Sequence, residues 1–139
     1  MLIPSKTKYR KQHRARGKGF AGLTKAGSEL CFGGVGLKAV ESGEINSRQL
    51  EAARRVITRT IKRGGKVWIR IFPNKAITKK AAEVPMGSGK GSVEYYAFVV
   101  KPGRILFEMD GVNEAAAAEA LALAGYKLPV KCKVVTKNN

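Results

Sequence analysis

The chain has 139 residues, 44% of them hydrophobic, which suits one domain with a real core and excludes a wholly disordered polymer. Lys and Arg number 27 against 10 acids, a formal charge of +17 that points first to a nucleic acid and second to an anionic membrane surface. No stretch approaches the ~18 consecutive apolar residues of a membrane span, no signal-peptide run opens the chain, and Cys31 and Cys132 stand apart without metal spacing, as reduced thiols of a cytosolic protein do.

Residues 1–27 read as a basic extension. Lys6, Lys8, Arg10, Lys11, Arg14, Arg16, Lys18 and Lys25 fall in it, and the first acid is Glu29. Its acid-free start also suits a mitochondrial presequence, but Pro4 and the later glycines interrupt an amphipathic helix. Alone, the segment buries too little apolar surface to offset the entropy of ordering. It is either a solubilising tail or an arm that orders against phosphate; fully extended, 27 residues reach about 90 Å at ~3.3 Å each. His13 has no second ligand or catalytic partner.

Residues 28–139 read as one α+β domain. Glu29 to Val40 predicts two short strands broken at Gly33-Gly34, and Glu41 to Glu44 a turn. A helix then begins after Asn46, with Gln49 completing a capping box and Ile45 and Leu50 a hydrophobic staple. Leu50, Ala53, Ile57 and Ile61 make its apolar stripe, and Gly64-Gly65 ends it. The opposite face carries Arg48, Arg55, Arg59 and Lys62 within a narrow sector, with Glu51 the only acid between Arg48 and Lys66. Such a ridge is either a solvated face or a surface for a polyanion.

Lys66 to Phe72 alternates as a strand whose two faces are both apolar enough to be covered, with Trp68 expected in the core. A long loop follows over 73–91. Its tip, Met86-Gly87-Ser88-Gly89-Lys90-Gly91, fails the phosphate-loop pattern: Gly91 stands where Ser or Thr is needed and Val84 where the first glycine is needed. Ser92 to Val100 is the best strand, Lys101-Pro102-Gly103 predicts a hairpin turn, and Arg104 to Met109 its partner strand. Asn113 caps a second, alanine-rich helix to about Ala124, stopped by Gly125, and Val130 to Thr136 forms the last strand, with Lys131, Lys133 and Lys137 alternating. One histidine and ten scattered carboxylates give no catalytic constellation, no metal cluster and no sign of a cofactor.

Five stretches carry a family resemblance: L-x-P-x-x-T-K-Y-R-K from Leu2, R-Q-L-E-A-A-R-R from Arg48, G-K-V-W-I-R-I-F-P from Gly65, M-G-S-G-K-G-x-x-E-Y from Met86 running into K-P-G-R-I-L-F-E-M, and K-L-P-V-K from Lys127. Collinear over nearly the whole chain, they resemble the bacterial-type family of large-subunit ribosomal protein sixteen. The resemblance implies a two-helix α/β-hammerhead core bound to large-subunit ribosomal RNA, shaping the aminoacyl-tRNA site, contacting tRNA there and in the peptidyl site, and joining late in assembly. By position it implies ribosomal RNA contacts from Lys6 to Lys18 and at Arg48, Arg55 and Arg59, with Met86 to Lys90 pointing towards the functional centre. It further implies neighbouring ribosomal proteins as partners, no membrane and no small-molecule substrate, in a cytoplasmic or organellar ribosome. Pro85 departs from the family, whose members often carry arginine there, so one cationic contact is missing. From composition alone, a free nucleoid or single-strand binding module remains the competing reading, with an RNA-modifying enzyme a distant third.

Overall fold

The computed structural model describes residues 2–4, 23–24, 26–61, 64–79 and 92–137. Among the described residues, seven strands and two helices make an α+β domain: β1 (Val35–Ala39), β2 (Gly43–Asn46), α1 (Ser47–Ile61), β3 (Lys66–Ile69), β4 (Lys75–Lys79), β5 (Ser92–Val100), β6 (Ile105–Asp110), α2 (Glu114–Gly125) and β7 (Cys132–Thr136). The expected sheet is split in two. A four-stranded sheet runs β3-β6-β1-β7 and a three-stranded one runs β2-β5-β4, every neighbouring pair antiparallel.

Helix α2 packs on one face of the larger sheet, and α1 packs against α2 and against β2 and β5 of the smaller one. Val35, Leu37 and Ala39 of β1 and Phe107 and Met109 of β6 meet Leu50, Ala53 and Ile57 of α1 and Ala117, Ala120, Leu121 and Ala124 of α2 in one buried cluster. The end of α2 lies close to the sheet: Leu37 methyl carbons stand 3.8 and 3.9 Å from where a Cβ on Gly125 would be. The opposite face is crossed by a strap, residues 26–34. A Cβ on Gly36 would fall 2.3 Å from Leu30 of the strap, and one on Gly33 would fall 2.3 Å from the Met109 carbonyl oxygen.

The α1 entry follows the expected capping box in both directions. The Gln49 N–H donates to Asn46 Oδ1 at 2.9 Å and the Asn46 N–H donates to Gln49 Oε1 at 3.0 Å. Asn46 thus ends β2 with its backbone and caps α1 with its side chain. At the far end Gly64 and Gly65 take positive φ of 103° and 75°. Gly65 also lies under a second glycine turn, where a Cβ on Gly111 would come within 2.8 Å of the Gly65 Cα.

Several expectations are corrected. The two strands predicted over Glu29 to Val40 are one strand preceded by the strap, and the turn predicted over Glu41 to Glu44 already contains the start of β2. The loop predicted at 73–91 opens with β4, which pairs with β5. Lys101-Pro102-Gly103 does turn, with Gly103 at φ 96° and the Arg104 N–H donating to the Lys101 carbonyl at 3.3 Å, yet it is no hairpin. It hands the chain from one sheet to the other: β5 pairs with β2 and β4, whereas β6 pairs with β1 and β3. Alternation marks a strand and a Pro-Gly pair marks a turn, but neither names the pairing partner. The strand at Lys66 ends at Ile69 and lies at the edge of its sheet; Val67 and Ile69 pack half-buried against the core on one face, and Trp68 meets the strap on the other. Trp68 is half-buried on the strap side, stacked on Phe32 with ring centroids 5.8 Å apart.

Candidate nucleic-acid interface

The exposed side of α1 is the site that the described residues build. Its apolar stripe is buried at Leu50, Ala53 and Ile57, and this orientation turns Arg48, Arg55 and Arg59 outward, all exposed. Glu51 is the one acid beside them. It takes a two-point contact from Arg54, with Nε at 3.0 Å and Nη2 at 2.5 Å, and Arg55 Nε lies 3.4 Å away. The Arg54 hydrogen bond holds the Glu51 carboxyl down at about 2, against the opposing effect of its partial burial. Arg54 therefore spends its charge on Glu51. Arg55, whose side chain is 70% exposed, only leans on that carboxylate. Arg48 and Arg59 have no acid within ion-pair distance among the described residues.

The helix dipole sharpens this pattern. Arg59 in the last turn is placed favourably, but the first turn contains Arg48 and no acid, the opposite of what the dipole prefers. A face that keeps an unfavourable cation and leaves two arginines unneutralised gains stability from an external anion. Phosphate fits, because guanidinium groups donate in a planar fork that matches its oxygens.

Two other arginines are structural. Glu108 is completely buried on the strap side of β6. Its Oε1 accepts from the backbone N–H groups of Cys31, Phe32 and Gly33 at 2.9, 2.9 and 3.0 Å, and its Oε2 accepts from Arg70 Nη1. Burial alone would push this carboxyl up; the three N–H groups and Arg70 outweigh it and hold it below the usual range. Arg70 also lies 5.3 Å from the centroid of the Phe32 ring. Arg104 donates to the carbonyls of Ala26 at 3.2 Å and Arg70 at 3.0 Å, with its guanidinium 5.2 Å from the Phe98 ring centroid. Together they fasten the root of the N-terminal extension to the sheet. Nothing in their spacing distinguishes these arginines from surface ones; a buried glutamate in an otherwise apolar strand, I-L-F-E-M, was the available signal.

Of the residues singled out from sequence, Arg48, Arg55 and Arg59 come together as expected. Lys62, the extension from Lys6 through Lys8, Arg10, Lys11, Arg14 and Arg16 to Lys18, and the loop Met86, Gly87, Ser88, Gly89 and Lys90 lie outside the described residues. Among the described residues no group of three or more His, Cys, Asp or Glu could hold a metal ion, and no helix is long and apolar enough to cross a membrane. Cys31 and Cys132 are both free.

A capped helix with an unneutralised arginine face, over a sheet whose other side is strapped by residues 26–34, makes an α+β scaffold whose exposed charge suits a polyanion. The chain belongs to the ribosomal protein L16p/L10e family, whose model matches residues 4–135. It is 57% identical over 139 residues to the large ribosomal subunit protein uL16c of Phaeodactylum tricornutum, covering 100% of this chain and 99% of that protein. The chain is accordingly a structural, non-enzymatic component of the large ribosomal subunit.

Proposed function

We propose that this chain binds large-subunit ribosomal RNA through the α1 ridge and the basic extension, and that it thereby helps to shape the aminoacyl-tRNA site. The observation that carries this reading is the face of Arg48, Arg55 and Arg59, where Glu51 is already claimed by Arg54. The ridge and the extension contact phosphate, so they position the protein rather than read bases. What they recognise is a folded RNA shape. The loop from Met86 to Lys90, small-residued around one lysine, approaches tRNA in the aminoacyl site and extends towards the peptidyl site. Neighbouring ribosomal proteins complete the surroundings, and joining is late, after the RNA surface that neutralises the ridge has formed.

The test is salt-dependent binding to large subunits stripped of this protein. If the extension places about eight charges on phosphate, its share of the log–log salt slope is roughly −6 to −7, at ~0.7–0.9 per contact. A chain lacking residues 1–18 should fold, bind weakly and lose most of that share. An unchanged slope would reduce the extension to a solubiliser. A protein that left subunits as a monomer and preferred DNA would be a free nucleic-acid-binding module instead.

A further inference from the structure

We infer that the strap side of the four-stranded sheet carries a second phosphate-binding groove, formed by Lys38, Lys133 and Lys137, so that the protein grips RNA on two opposite faces. The inference rests on the ribosomal RNA reading of the α1 ridge and extends it to a face that reading does not use.

The strand register makes the argument. Lys38 of β1 and Lys133 of β7 are direct cross-strand partners. Directly opposed like charges destabilise an antiparallel pair. The ladder also places them away from the helices. Leu37, paired with Val134, faces α2, so the next pair in the ladder faces the other way. Lys137 joins them at the end of β7, where its N–H donates to the Gly34 carbonyl at 3.2 Å and ties it to the strap. The three lysines line one groove of about 550 Å³ between strap and β7, with Ser28 also in its lining. Glu29 is the one acid in its lining, and none of the three lysines has a carboxylate within ion-pair distance among the described residues.

Edge protection explains part of this. β7 is an edge strand, and lysine on an edge discourages pairing with another chain. That accounts for Lys133, but not for Lys38, which sits on a strand paired on both sides. A linear polyanion running between strap and β7 neutralises both at once. The groove is polar and open-ended, which suits a phosphodiester backbone better than an apolar peptide.

The experiment compares a groove variant (Lys38→Gln with Lys133→Gln), a ridge variant (Arg55→Ala with Arg59→Ala) and a control (Lys101→Gln with Lys127→Gln), binding to large subunits stripped of this protein over a salt series. Removing two phosphate contacts should flatten the groove variant's log–log slope by roughly 1.4–1.8. The free groove variant should melt no lower than the parent, because a repulsive pair is gone. The control should keep the parental slope. A parental slope in the groove variant beside a flattened one in the ridge variant overturns the groove alone; parental slopes in both overturn the ridge reading too. Equal flattening in control and groove variants also overturns it, since any lysine would then serve. A photoreactive side chain at position 137 in reassembled subunits gives a readout that does not depend on the double variant folding. Crosslinking to RNA supports the groove, whereas crosslinking to a protein, or to nothing, overturns it.

Discussion

Glu108 shows how much one side chain decides. A carboxylate with no solvent exposure is tolerable only when its lone pairs are filled, and here three backbone N–H groups and Arg70 fill them. Glu108→Ala leaves Arg70 without its ion-pair partner and three N–H groups without an acceptor. The expected loss is about 3–5 kcal/mol, read from the urea midpoint at constant m-value. Acid should act in the same direction. Glu108 and Glu51 are both held below the ordinary carboxyl value of 4.5, Glu51 at about 2. As pH falls, the unfolded chain takes up these protons first, so their stabilisation is complete above about 4.5 and is lost progressively below it, towards 2 for Glu51. Thermal melts from pH 6 downwards should be flat until that window and then fall. For Glu108→Gln the fall should be shallower.

Among the elements, α1 is the one whose two faces do different work. Its inner face is set by the spacing of Leu50, Ala53 and Ile57 and its start by the Asn46–Gln49 box. Asn46→Ala should cost about 0.5–2 kcal/mol, the usual worth of a cap. Arg55→Ala with Arg59→Ala should weaken RNA binding while the melting temperature stays close to the parent's; a large drop in stability would place those side chains in the core. The strap is constrained in the opposite way, by its backbone. At Gly33 a methyl group would meet the Met109 carbonyl oxygen at 2.3 Å, and a carbonyl within a paired strand has no room to move. Gly33→Ala is therefore expected to cost on the order of 1–3 kcal/mol, measured by denaturant unfolding.

At the scale of the molecule, charge and fold are arranged as layers. The acidic, alanine-rich α2 is sandwiched against the sheet, α1 packs beside it with arginines outward, and the strap closes the other face under Arg70 and Arg104. The root of the extension is thus fixed to a rigid surface, which shortens the search for phosphate by anything attached to it. Deleting residues 1–18 should lower the melting temperature only slightly: Leu2, half-buried against the core, is lost, while the bonds made by Thr24, Ala26 and Gly27 remain. The same deletion should remove most of the salt dependence of binding.

Local chemistry was enough to read the helices, their N-caps, the glycine stop after α1 and the arginine ridge, because each depends on residues three or four apart; α2, though, runs through Gly125 and is capped by Tyr126. The strongly basic balance of the chain was readable as well, since charge sums along the chain whatever the fold. Tertiary structure alone decided that Ser92–Val100 and Ile105–Asp110 belong to different sheets, that residues 26–34 form a strap and not a strand, and that Trp68 stacks on Phe32 outside the helix-covered core. It alone set Lys38 opposite Lys133 and wrapped backbone amides round Glu108. These are contacts between segments some 75 to 95 positions apart. Strand pairing and buried polar satisfaction depend on which segments meet, and the period of a single segment carries no record of its partner.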